Sequence, residues 1–164
     1  MKTIVVYYSL EGNTDFVAKK IASELNADLL RLNPKKVYPK KGFSKYFWGG
    51  KSAVMGESPE LEPYSFNAQT YDLVIFGTPV WAGTFAPPLR TFINENSLEG
   101  KKIAAFACQA GEGNPKKFAK LKKALSIENF EAELALINPK KRQSDSNEKK
   151  IKEFCQKLNE LSQA

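Results

Sequence analysis

Histidine is absent from this 164-residue chain, and that absence removes Ser-His-Asp triads, Cys-His dyads and the commonest zinc sites. Cysteine is scarce as well. Cys108 and Cys155 stand 47 positions apart in different expected elements, which suits reduced intracellular thiols better than a disulfide framework. No apolar run approaches the roughly 18 residues of a membrane span, and Met1-Lys2-Thr3 leads straight into a short strand-like stretch without a signal-peptide pattern. The expectation is a soluble, cytoplasmic protein whose chemistry is borrowed from a cofactor. One domain over residues 1–164 is the default at this length, with enough chain to bury a core without staples.

Positive charge is what the chain has in excess, with a net +7. The lysines are scattered over Lys35 to Lys51, Lys116 to Lys123 and Lys140 to Arg142. No nucleic-acid-binding motif accompanies them, so solvated faces and electrostatic docking are expected rather than a nucleic-acid partner.

Thr3 to Tyr8, Leu73 to Gly77 and Ile103 to Ala107 are nearly continuous apolar runs, the mark of parallel strands covered on both faces. Asp28 to Leu32 and Glu131 to Ile137 mix charge into a strand pattern and read as sheet edges. Helical periodicity joins Phe16, Val17, Ile21 and Leu25; Leu89, Phe92 and Ile93; Phe118, Leu121 and Leu125; and Ile151, Phe154, Cys155, Leu158 and Leu161. Asn13 is the expected cap of the first helix, Pro87-Pro88 suits the first turn of the second, and Asn114-Pro115 opens the third. The alternation predicts an α/β fold with an open five-stranded parallel sheet in the order 2-1-3-4-5 and helices on both faces. A ligand then belongs beyond the carboxyl ends of strands 1 and 3, where the order reverses.

The connection over 33–68 is too long for a plain loop. A helix around Phe43 to Val54 fits it, weakened by Gly49-Gly50. It reads either as a covering helix on the sheet edge or as a lid or docking segment.

Three loops carry the chemistry. Ser9-Leu10-Glu11-Gly12-Asn13-Thr14 joins a strand to a helix, so successive backbone N–H groups, two hydroxyls and the helix dipole can converge on a phosphate dianion. Gly12 permits the tight turn. Neither a P-loop nor a G-x-G-x-x-G pattern is present. After strand 3 comes Gly77-Thr78-Pro79-Val80-Trp81-Ala82-Gly83-Thr84-Phe85-Ala86-Pro87-Pro88, and after strand 4 Cys108-Gln109-Ala110-Gly111-Glu112-Gly113-Asn114.

The first of these resembles the [ST]-x-[ST]-G-[NQ]-T phosphate loop of the flavodoxin family, and the second its G-[ST]-P-x-[WY]-x-G-x-x-[AP]-P stretch. The likeness extends over essentially the whole chain. It implies non-covalently bound flavin mononucleotide (FMN). The phosphate would be held by Ser9 to Thr14, and the ring bordered by Thr78, Pro79, Val80, Trp81, Ala82, Gly83 and Thr84 on one side and Cys108, Gln109, Ala110, Gly111 and Gly113 on the other. Glu11 departs from the family, which often has a hydroxyl there, and its carboxylate is expected to face solvent. Trp81 reads either as a flavin contact or as packing under its loop. Cys108 reads either as a thiol near the flavin or as a small residue ending a buried strand. The family's usual aromatic in the third loop is missing, which leaves one ring face open or covered by Phe47 or Trp48.

The resemblance implies a low-potential electron carrier meeting a flavoprotein reductase and an electron acceptor, as a monomer or dimer. A flavin-dependent NAD(P)H or quinone reductase of the same fold is the alternative, and a redox-inert binding protein the third. The basic surface departs from the acidic flavodoxins. Either the partner is acidic, or Glu11, Asp15, Glu57, Glu60, Glu62 and Glu112 form a local acidic collar.

Overall fold

β1 (Thr3–Tyr7) consists of five buried residues, and the chain pairs it in parallel with β2 (Asp28–Arg31) on one side and β3 (Leu73–Trp81) on the other. β5 (Lys102–Gln109) and β6 (Glu133–Ile137) continue the sheet, giving the order β2-β1-β3-β5-β6. This is the doubly wound order expected, with the two charge-bearing strands at the edges. These relations come from a computed structural model that describes residues 1–39, 42–111 and 117–163, and over 42–47 the backbone alone.

A sixth strand corrects the five-strand expectation. β3 does not stop at Gly77 but runs on to Trp81 and folds back antiparallel into β4 (Thr84–Phe85), with Val80 opposite Phe85 and Trp81 opposite Thr84. Pro79 masked this continuation in the sequence, because proline normally demotes a strand. Here it lies at the end of the β3–β5 ladder, opposite Cys108.

Side-chain alternation along the strands sends residues to two cores. Val5, Tyr7, Ile75, Phe106 and Leu136 face α1 (Asn13–Leu25) and α5 (Asp145–Glu160). Val6, Phe76, Ala105 and Ala107 face α3 (Pro87–Glu95) and α4 (Ala119–Leu125). Pro87 and Pro88 open α3 as anticipated, since first-turn N–H donors have no acceptor within the helix and proline's missing donor costs nothing there. Asn114 and Pro115 lie outside the described residues, and they do not open α4, which starts at Ala119 with Phe118 in the cap position.

Asn13 is not the cap of α1. Gly12 occupies the cap position with φ 95° and no side-chain hydrogen bond there, and the Asn13 side chain is turned to a neighbouring loop instead.

The 33–68 connection pairs with itself: Lys35 N–H donates to Glu60 O (2.9 Å) and Glu62 N–H to Asn33 O (2.7 Å). α2 (Gly42–Met55) is the excursion between these arms. Its glycine pair has a packing reason. A Cβ at Gly49 would stand 3.3 Å from the Trp81 ring, and one at Gly50 3.9 Å from Ala82. The two glycines let α2 lie against the β3–β4 hairpin.

Candidate functional site

The loop after β1 is braced from outside. Tyr7 Oη donates to Asp15 Oδ1 (2.8 Å), Arg31 Nη1 lies 3.6 Å from the same carboxylate oxygen, and Arg31 Nη2 donates to Ser9 O (3.0 Å). Burial opposes ionisation of Asp15, but hydrogen bonds from Lys19 and Tyr7 outweigh it and hold the carboxyl below its ordinary range. Burial, with the bond to Asp15 added, pushes the Tyr7 phenol up. With the Ser9 carbonyl pinned outward by Arg31, the loop can present N–H groups inward.

Inside the loop, Gly12 N–H donates to Ser9 Oγ (3.2 Å), a short side-chain turn that closes the bend. α1 then starts with Phe16 N–H on Gly12 O (3.0 Å). The first-turn N–H groups of Asn13 and Thr14 have no acceptor within their own helix. Thr14 is 1% exposed. Asn13 Oδ1 accepts from Lys140 N–H (3.1 Å), which ties the β6–α5 loop to the start of α1.

The second loop is the β3–β4 hairpin. Thr78 Oγ1 accepts from Ala86 N–H (2.9 Å) and donates to Pro79 O (2.8 Å), fixing the hairpin base. At the tip Ala82 and Gly83 both have positive φ, 47° and 74°, the pattern of a two-residue hairpin whose twist matches its strands. Trp81 stands edge-on to Tyr8 (5.5 Å) and Tyr38 (5.1 Å). It both packs under α2 and lines the cleft.

Near the end of β5 stands Cys108, whose thiol is pushed up to about 12 by burial; it is a neutral, inert group at physiological pH. Gln109 and Ala110 follow. Their carbonyls are held by Asn138, which donates its N–H to Gln109 O and its amide to Ala110 O, each at 2.9 Å. Gln109 Oε1 is buried without a hydrogen-bond donor among the described residues.

The three loops meet in one cleft beyond the carboxyl ends of β1, β3 and β5. Ser9, Leu10, Glu11, Asn13 and Thr14 line one wall, Pro79, Val80, Trp81 and Ala82 another, and Cys108, Gln109 and Ala110 the third. Gly12, Thr78, Gly83, Thr84 and the exposed Gly111 are outside the lining. Gly113 lies outside the described residues, as does the Phe47 side chain. Trp48 is exposed, with Lys51 over its ring, and does not reach the cleft.

Sequence reasoning missed Gly50 and Asn138, which complete the lining. The Gly-Gly pair and the Asn138-Pro139 turn were the available signals. The acidic collar is largely engaged elsewhere: Asp15 with Lys19 and Arg31, Glu57 with Ser52, and Glu60 with Lys35. Among its described members, Glu11 alone lines the cleft.

Among the described residues no cluster of carboxylates and thiols could hold a metal. The arrangement offers a donor-rich pole at a helix N-terminus, a buried acceptor without a donor and an aromatic wall. Those features fit a flat group carrying a phosphate.

Similarity to known proteins agrees with this geometry. A family model described as flavodoxin matches residues 2–156. A structure from Bacteroides eggerthii DSM 20697, assigned as a flavoprotein, is 26% identical with a TM-score of 0.70, covering 82% of this chain and 87% of that one. A flavoprotein of Lactobacillus acidophilus NCFM in complex with FMN is 23% identical with a TM-score of 0.72, covering 82% and 92%. A flavodoxin from the domain Archaea is 13% identical with a TM-score of 0.60, covering the whole of both chains. With nearly its full length matched by the family model, the chain belongs to the flavodoxin family.

Proposed function

We propose that this protein binds FMN non-covalently in the cleft and passes electrons singly between redox partner proteins. The observation that carries the reading is the convergence of the three loops, with the donor-rich turn Ser9–Thr14 at one end and Trp81 at the other. The N–H groups of that turn and of the α1 N-terminus hold the phosphate. Gln109 Oε1 offers an acceptor to a ring or ribityl donor. Trp81, which lines the cleft, would border the ring.

Bound FMN supplies the redox chemistry itself. The chain excludes water from the ring and sets the field around it. Among the described lining residues no pair of titratable side chains is placed to act as acid and base, and Cys108 is a buried neutral thiol. A carrier needs neither.

A stand-alone flavin-dependent NAD(P)H or quinone reductase is the second reading. It is favoured by the third loop, where the described residues Gln109, Ala110 and Gly111 place no aromatic over the cleft. Turnover separates the two. The purified protein should release FMN rather than FAD or riboflavin. With NADPH or NADH and a quinone it should turn over at about 0.1 per second or less, against roughly 10 per second for a typical enzyme. Adding a flavoprotein reductase should give rapid reduction of the bound flavin. Sustained turnover of many per second without a partner overturns the carrier reading.

A further inference from the structure

The β6–α5 turn brings a cation to the donor loop by main-chain bonds. Asn138, at φ 42°, turns the chain out of β6. Its N–H and side-chain amide fasten the turn to Gln109 O and Ala110 O. Two residues on, Lys140 N–H donates to Asn13 Oδ1 (3.1 Å), so the turn is fastened to the first loop as well. The Lys140 side chain then crosses Gly12. Its Nζ lies 3.1 Å, its Cδ 3.6 Å and its Cε 3.9 Å from the place a Gly12 Cβ would fill.

Gly12 therefore serves twice, once for its φ of 95° and once for the room it leaves this side chain. Asn13, free of the capping role, is what holds Lys140 there. Among the described residues no carboxylate forms an ion pair with Lys140, whereas Lys19, Lys20, Lys35 and Lys122 are each so engaged. Its neighbours Lys141 and Arg142 are exposed, and their N–H groups return to Asn138 O.

We infer that Lys140 is a phosphate-binding residue, supplying a side-chain cation to a loop that otherwise offers only neutral donors and the dipole of α1. The inference rests on the FMN reading for the identity of the ligand, and on the Lys140–Gly12–Asn13 contacts for the residue. A dianion at the head of α1 meets the Glu11 carboxylate on the same wall, and a cation across Gly12 offsets that repulsion. The specific consequence is discrimination. A flavin with its phosphate gains from Lys140, and one lacking it does not.

The test compares wild type, Lys140→Gln and Lys141→Gln as flavin-free protein, titrated with FMN, riboflavin and inorganic phosphate. The two variants carry the same net charge. Lys140→Gln should weaken FMN about tenfold, the low end for a bond to a charged group, and weaken inorganic phosphate in parallel. Riboflavin affinity should be unchanged, and Lys141→Gln should match wild type. The FMN loss should shrink as salt is raised, because the Lys140 ammonium is exposed.

Unchanged FMN and phosphate affinity in Lys140→Gln overturns the inference. So does an equal loss for FMN and riboflavin, which would mark a loop distortion, or an equal loss in Lys141→Gln, which would mark bulk charge. Wild type that binds phosphate through Lys140 but no flavin would sink the FMN reading and keep the residue's role.

Discussion

The ring of Phe106 lies across Gly77: a Cβ added there would stand 2.3 Å from Phe106 Cζ and 2.9 Å from Tyr7 Cβ. Both neighbours sit directly opposite Gly77 in the sheet, Tyr7 on β1 and Phe106 on β5. The glycine that opens the hairpin segment is thus required by the bulk of its cross-strand partners. Gly77→Ala should destabilise the protein by about 1–3 kcal/mol or more through overpacking, read as a lowered urea midpoint. Phe106→Leu placed in the Gly77→Ala background should recover part of the loss, as a double-mutant cycle detects for residues in contact. Strictly additive effects would show that the two do not share this space.

Ala82 carries a φ of 47° at the hairpin tip, a conformation costing an L-residue with a Cβ roughly 1–2 kcal/mol. Its neighbour Gly83 bears the same sign of φ freely. Asn-Gly is the favoured pair for such a turn. Ala82→Asn should therefore raise the thermal midpoint of the flavin-free protein by a few degrees, the size expected for about 0.5–1 kcal/mol in a domain this large. A lowered midpoint would contradict the turn geometry.

Asp15 links the donor loop to pH. Its desolvation disfavours the charge, yet hydrogen bonds from Lys19 and Tyr7 hold the folded carboxyl below the ordinary 3.8. The folded state then binds fewer protons than the unfolded chain, so this stabilisation is full above pH 3.8 and is lost as pH falls through the folded value. Urea midpoints of wild type and Asp15→Asn should differ at pH 7 and converge in acid. A gap constant across the range, or no gap, would rule out the linkage.

Much of this was legible in the sequence, for identifiable reasons. β1, β3 and β5 are buried on both faces, which leaves uninterrupted apolar runs, and the edge strands announce themselves by charge. The first loop was readable because glycine, asparagine and hydroxyls follow a strand directly. The hairpin was hidden because Pro79 breaks a strand pattern whose other members, Val80, Trp81, Thr84 and Phe85, favour one. The role of Asn13 was hidden for another reason. Whether an asparagine caps its own helix or holds Lys140, 127 positions away, depends on a loop that local pattern cannot place. Gly49-Gly50 read as a weakness of α2 because the indole that needs the space is on another element.

That indole decides the last prediction. Trp81 is held edge-on by Tyr8 and Tyr38 and lies under Gly49, so a purely structural role predicts one outcome and a cofactor-facing role another. If it only supports α2, Trp81→Ala lowers the urea midpoint and leaves FMN affinity and fluorescence as they are. If its cleft-lining side meets the ring, the same change weakens FMN by roughly 1–3 kcal/mol, the scale of stacking on an aromatic side chain, and raises the residual emission of bound flavin. The geometry predicts both losses together, with Trp81→Phe restoring most of the affinity and less of the stability. A Trp81→Ala variant that unfolds more easily but binds FMN as wild type does would assign the residue to α2 alone.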